Sequence, residues 1–242
     1  MTWVYADPEA LCHAAAGIWV EQAQQAINAR GRFSVVLSGG HTPQRMYELL
    51  AQSPLRDRVA WGQVHVFWGD ERCVPPDDSR SNERMARQAL LDLVPIPPEQ
   101  IHPIRCAQSP QEAAEQYETV LRTFFKDQEP RFDLVLLGLG ENGHTASLFP
   151  GTSVLDDQEH WAAEVYVAEQ DLYRVTLTAP LINQAMLVAF LITGSAKASV
   201  LQQVLEGPFD PHRLPAQLIR PTHGNLYWLI DQDAGSLIRQ RA

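Results

Sequence analysis

Residues 132–151 read FDLVLLGLGENGHTASLFPG, and the first half of this stretch decides the fold. Leu134–Leu137 is an unbroken apolar run bounded by Gly138 and Gly140, the pattern of a strand buried on both faces of a parallel sheet. Such a strand delivers its carboxyl end to a ligand crevice, and a glycine-built turn lets the backbone approach a ligand closely. His144 is the single imidazole where the chain leaves that turn. A titratable group on a loop at a strand end is better placed for chemistry than one on a helix face. Residues 145–148 are expected to form only a short helical turn before Pro150-Gly151 stops it.

Gly138, Gly140 and Gly143 also match the dinucleotide fingerprint G-x-G-x-x-G, with Asp156 and Asp157 roughly 20 residues on. That reading fails on context. The fingerprint needs a full helix behind its third glycine, and the acid belongs at the end of a second strand, whereas here both acids fall in a polar loop.

Outward from this centre, strands and helices alternate. Asp7-Pro8 opens an Ala-rich helix to about Ala29, ended by Gly31. Phe33–Leu37 is a buried strand, and Ser38-Gly39-Gly40-His41-Thr42-Pro43 turns from it into a helix carrying Met46, Leu49 and Leu50. Strand, glycine turn and helix N-terminus in succession present unpaired N–H groups and the positive end of a helix dipole, a ready phosphate site. No Gly-Lys-Ser/Thr of a nucleotide P-loop follows. Val64–Trp68 is the next strand, and it ends in Gly69-Asp70-Glu71-Arg72, where such sheets place ligands.

Ser81-Asn82 lead into a helix to about Leu91, residues 101–104 read as a short strand, and Pro110–Phe125 as a helix with Ala113, Tyr117, Val120, Leu121 and Phe124 on one face. Residues 161–167 and 173–177 are strands around a polar turn, the second half-exposed or lining a cleft. The apolar runs 187–193 and 226–230 are two further buried strands. Between them, Lys197 falls in the first turn of a helix to about Leu205, where a cation opposes the dipole unless an anion is near. This alternation predicts an α/β chain with a doubly wound, mostly parallel sheet, forming one domain over residues 1–242.

The 242 residues carry a net charge of −10, with 45% hydrophobic and 20% charged residues, ordinary for a soluble globular protein. The acidic balance disfavours nonspecific nucleic-acid binding, so an anionic substrate needs a local basic cluster. No apolar run approaches the ~18 residues of a membrane span, and the N-terminus does not read as a signal peptide. Cys12, Cys73 and Cys106 are odd in number and widely spaced, read as small buried hydrophobes in a reducing cytoplasm. The eight histidines show no paired spacing, so no metal site is expected.

Taken together, VVLSGGHTPQRMYELLA, VHVFWGDERCVPPDDSRSNERMARQALL, LVLLGLGENGHTASLFPGT, the Arg174 strand, LITGSAKASVLQQVLEG and PAQLIRPTHGNLYWLID resemble the 6-phosphogluconolactonase family over nearly the whole chain and in the family's order. The resemblance implies a modified Rossmann-like fold shared with glucosamine-6-phosphate deaminases. It implies hydrolysis of 6-phosphoglucono-δ-lactone to 6-phosphogluconate in the oxidative pentose phosphate pathway, without metal or cofactor. It places His144 at the catalytic histidine, the general base on water. Arg72 and Lys197 match the phosphate ligands, joined by Ser38, Gly39, Gly40 and Thr42. Arg174 matches a basic residue of the substrate pocket, and Asp70 and Asn82 are assigned positioning roles.

The chain departs from the family's Asp-Gly-His in having Asn142-Gly143-His144. Asn brings no charge to stabilise an imidazolium, so either Glu141 or Asp70 compensates or His144 is a weaker base. Backbone N–H groups around residues 140–143 are the geometric candidates for the oxyanion. Two other readings share these residues: a glucosamine-6-phosphate deaminase or isomerase, and a phosphosugar-binding protein that has lost its base partner. The expected partner is a small phosphosugar lactone, with no nucleic acid or membrane, on a cytoplasmic monomer or weak homodimer.

Overall fold

In the computed structural model, which describes residues 1–107, 109–126 and 128–239, the chain runs β1 (Thr2–Tyr5), α1 (Pro8–Arg30), β2 (Phe33–Leu37), α2 (His41–Leu50), β3 (Val64–Trp68), β4 (Asp70–Arg72), α3 (Asn82–Ala86), α4 (Pro110–Phe125), β5 (Leu134–Leu137), β6 (Ala162–Val167), β7 (Leu172–Leu177), α5 (Ala179–Ile182), β8 (Leu187–Ile192), α6 (Ala198–Glu206) and β9 (Asn225–Asp231). Six strands pair in the order β1-β9-β8-β5-β2-β3, every pair parallel. Every residue of β2, β5 and β8 is buried, and apart from Ser34 these strands read as continuous apolar runs, as strands covered on both faces do.

Local signals set the helix ends. The Asp7 carboxylate accepts from the Ala10 N–H at 2.8 Å with Pro8 in the first turn of α1, and the Gly31 N–H closes that helix onto the Ile27 carbonyl. Ser109 and Glu112 form a reciprocal capping box on α4.

From β2 the chain steps outward to β3 and later returns on the other side of β2 as β5. The strand order therefore reverses between β2 and β5, and the turns after their carboxyl ends, Ser38-Gly39-Gly40 and residues 138–144, face one crevice. A separate three-stranded antiparallel sheet, β4-β7-β6, borders it. Gly69 links β3 to β4: its N–H donates to Leu37 of the large sheet and its carbonyl accepts from Leu177 of the small one.

Several expectations need correction. β1 escapes the sequence pattern because it is a half-exposed edge strand paired only with β9. Residues 101–104 are not a strand; Ile101 makes one isolated bridge to Val66. The helix from Ser81 divides into α3 and a π-helical turn over Arg87–Leu91. Val120 is 37% exposed, and Phe125 takes the buried position beside Leu121. Residues 145–148 are not a helical turn: Thr145 and Leu148 form an antiparallel bridge, with Ala146 at φ +47°. Cys12 is buried and free, but Cys73 and Cys106 are half-buried and joined as a disulfide, a pairing that a separation of 33 residues does not announce.

Among the described residues, no helix is long and apolar enough to cross a membrane, and no group of three or more His, Cys, Asp and Glu is placed to hold a metal ion.

Candidate active site

The crevice between β2 and β5 opens into a cleft of about 390 Å3. All the residues expected from the sequence line it except Asn142, which holds the His144 ring. One end holds an uncapped helix N-terminus. Gly40 begins α2 without a side-chain cap and no acid occupies the first turn, so the leading N–H groups and the dipole are open to a negative ligand.

Gly39 admits no side chain, because a Cβ there would lie 2.0 Å from Asn82 Oδ1. Asn82 in turn donates to the Asp70 carbonyl at 2.9 Å, fixing the β2 turn against β4. Thr42 and Thr193 share a hydroxyl hydrogen bond of 2.8 Å, which ties α2 to the segment leading to Lys197. Among the described residues, the Lys197 ammonium has only the exposed Glu141 carboxylate within ion-pair distance, at 3.7 Å. Arg72 Nη1 donates to the Arg80 carbonyl at 2.6 Å, while its buried Nε has no partner among the described residues.

Arg72 and Arg174 sit directly opposite each other in the β4–β7 register. Like charges so placed repel, and the arrangement is relieved by a counter-charge. Asp70 supplies one. Its Oδ2 accepts from Ser147 Oγ at 2.6 Å and from Arg174 Nη1 at 3.4 Å, all three side chains being buried. Arg174 Nη2 donates to Gln170 at 2.5 Å, and its guanidinium lies 5.3 Å from the Phe149 ring centroid. Burial pulls the Arg174 pKa down, opposed by the Asp70 charge. Its Nε is buried without a partner among the described residues, so Arg174 keeps a donor in reserve.

His144 is held from three sides. Its Nδ1 lies 2.5 Å from Asn142 Oδ1, its ring stacks on Phe149 with centroids 4.1 Å apart, and a Cβ on Gly140 would come within 2.0 Å of Nδ1. An amide oxygen can only accept, so Nδ1 carries the proton and Nε2 the lone pair. Burial lowers the His144 pKa from 6.5 to about 4; Asp70 opposes this, and Arg174, Lys197 and Arg72 reinforce it. Near neutral pH the imidazole is therefore uncharged. Glu141 is turned to Lys197 instead of the ring. Of the candidate oxyanion donors, two are already engaged: the Gly140 N–H with the His144 carbonyl and the Gly143 N–H with the Gly140 carbonyl.

Sequence reasoning missed the residues that hold these groups in place. Ser147 and Phe149 lie within the central stretch but carry no individual signal, and Gln170 and Thr193 come from distant segments. Glu71, read with its neighbours as a strand-end charge cluster, is buried and takes four donors: the N–H groups of Arg72, Asn82 and Glu83 and the Ser81 hydroxyl. It anchors the start of α3, and its burial raises its pKa against those hydrogen bonds.

The family model described as "Glucosamine-6-phosphate isomerases/6-phosphogluconolactonase" matches residues 6–228. A protein from Synechocystis sp. named 6-phosphogluconolactonase is 46% identical over 220 residues, covering 89% of this chain and 88% of its own. One from Nostoc sp. with the same name is 41% identical, covering 96% of each. The solved 6-phosphogluconolactonase of Trypanosoma brucei superposes with a TM-score of 0.89 at 29% identity, covering 99% of this chain and 98% of that one.

Proposed function

Because the chain belongs to the family of glucosamine-6-phosphate isomerases and 6-phosphogluconolactonases, we propose that it hydrolyses 6-phosphoglucono-δ-lactone to 6-phosphogluconate, a step of the oxidative pentose phosphate pathway, with His144 as general base. The observation that carries this reading is the His144 imidazole, neutral and with its tautomer set by Asn142, in one cleft with the uncapped α2 N-terminus, Arg72 and Lys197.

Water is a poor nucleophile near neutral pH, and a lactone carbonyl needs its attack assisted. Nε2 of His144 takes a proton from water as the oxygen bonds to the lactone carbonyl carbon. The tetrahedral intermediate then collapses, the bond from that carbon to the ring oxygen breaks, and the His144 imidazolium returns the proton to the departing oxygen. The products are the open-chain acid and a free hydroxyl, and the histidine is regenerated.

The substrate's phosphate is assigned to the α2 N-terminus with Ser38, Gly39, Gly40 and Thr42, and to the side chains of Arg72 and Lys197. Arg174 faces the sugar from the cleft wall. Asp70 and Asn82 position these groups and do not react: Asp70 balances the Arg174 charge, and Asn82 holds the Gly39 turn. In this reading the site is complete within one chain, its partner is a small phosphosugar in the cytoplasm, and the reaction draws on no metal or cofactor.

The test is hydrolysis of freshly generated lactone, with spontaneous opening subtracted, by the native chain and His144→Ala. Native turnover that vanishes in the variant, while 6-phosphogluconate still binds, is the expected result. Equal rates would refute the role of His144. Ammonia release from glucosamine 6-phosphate would assign the chain to the deaminase activity, and binding without turnover would make it a phosphosugar-binding protein.

A further inference from the structure

We propose that Cys73 and Cys106 form a reversible thiol–disulfide site, acted on by a dithiol reductant, that sets how firmly Arg72 is held for its anion. The proposal rests on the reading of Arg72 as a phosphate ligand and extends it to control of that ligand.

Cys73 directly follows Arg72 at the end of β4 and is bonded to Cys106. Beyond it, residues 74–80 form a largely exposed loop, whose return places the Arg80 carbonyl on Arg72 Nη1 at 2.6 Å. The loop's other hydrogen bonds are mostly its own: Asp78 N–H to Pro75, Ser81 N–H to Asp78, and the Arg80 guanidinium to the Asp78 carboxylate. Its leading end is tied to the body by the Cys73 N–H on the Tyr173 carbonyl at 2.9 Å and by the disulfide. Cys106 sits next to Arg105, whose side chain reaches Glu83 at 3.0 Å, so the disulfide fastens the loop to the α3 region.

Both cysteines line a second cleft of about 310 Å3. Arg72 lines this cleft and the active-site cleft alike. Neither cysteine is fully buried, so a thiolate can reach a sulfur from this side. Where thiols are kept reduced, the disulfides that do form are mostly transient and redox-sensing.

The exchange is a two-electron step. A reductant thiolate attacks one sulfur, the sulfur–sulfur bond breaks, and the other cysteine leaves as a thiolate that takes up a proton. The reductant's second thiol then displaces the bound cysteine, leaving two protein thiols and an oxidised reductant. In the disulfide state the loop is anchored and Arg80 holds Arg72 in the cleft wall. In the dithiol state only the Cys73 N–H bond to Tyr173 ties the leading end of the loop, and more of the cost of ordering Arg72 must be met from the binding energy of the anion.

The experiment uses the full chain, oxidised with glutathione disulfide or reduced with dithiothreitol. Thiols counted after denaturation are expected to be one and three respectively, given the single free Cys12. Reduction is expected to raise the KM for lactone roughly tenfold, the scale of one charge-assisted hydrogen bond, and to leave kcat within about twofold. Reoxidation restores it, and Cys106→Ser shows the reduced KM whatever the redox state.

Three free thiols after oxidation, or a disulfide that forms without changing KM, would overturn the proposal. A chain that hydrolyses no lactone in either state would refute the function proposed above. The redox control would then be decided by 6-phosphogluconate affinity in the two states, weaker on reduction or unchanged.

Discussion

Asn142→Asp is the substitution that most directly probes the site, because it adds a charge to a contact whose geometry is already set. Nδ1 of His144 lies 2.5 Å from Asn142 Oδ1, and the ring is pinned by Phe149 and Gly140, so the carboxylate takes the place of the amide without repacking. In the native chain burial and three nearby cations bring the His144 pKa down to about 4. Its protonated, inactive form therefore appears only in acid, and the acidic limb of kcat/KM is expected near that value. An opposite charge at contact distance raises such a pKa by roughly 1–3 units, about 1.4–4 kcal/mol of preference for the imidazolium.

The limb should move up by that interval, and kcat near pH 7.5 should rise several-fold as the base approaches the working pH. In the proposed binding mode phosphate offsets Arg72 and Lys197, two of the charges that depress His144, so the limb of kcat should lie above that of kcat/KM in both proteins. The assay is initial-rate hydrolysis from pH 4 to 8 with the spontaneous rate subtracted at each pH. Superposable profiles and equal rates for the two proteins would refute both the Asn142 contact and the role of His144 as base.

Gly140→Ala drives a methyl group into the imidazole at 2.0 Å and should lower kcat about 100-fold by displacing the base, leaving 6-phosphogluconate affinity, measured by calorimetry, within about twofold. Asp70→Ala leaves the buried Arg174 charge without its counter-ion and should cost about 3–5 kcal/mol in urea unfolding; a change below about 1 kcal/mol would mean that the pair is already solvated. His102, stacked on Phe67 and 3.3 Å from His65, is also pushed down to about 4 by burial. As with His144, the unfolded chain binds the proton first, so stability is full above about pH 6.5 and is lost toward pH 4, by at most about 3 kcal/mol per group. His102→Phe should flatten that dependence in urea unfolding at pH 5 and 7. Reducing the Cys73–Cys106 bond, which spans 33 residues, should lower unfolding stability by about 3–4 kcal/mol, read from urea midpoints with and without dithiothreitol.

The sequence by itself determined the elements that bury both faces and the turns that follow them. β2, β5 and β8 are buried throughout and, apart from Ser34, apolar, as strands covered on both faces are, and Gly39, Gly140 and His144 stand where strand ends meet the crevice, so pattern and composition point to the same places as the coordinates. Features that depend on one neighbour left no such trace. β1 needs only β9, residues 145–148 bridge across a left-handed Ala146, and Cys73 meets Cys106 only because the β4 end and the segment before α4 fold together. The state of His144 was likewise a tertiary matter. The motif names an imidazole and an amide two residues apart, but burial first, and then the charges of Arg174, Lys197 and Arg72, lower its pKa. Electrostatic free energy depends on distances and desolvation summed over segments remote in sequence, and only the assembled chain fixes those.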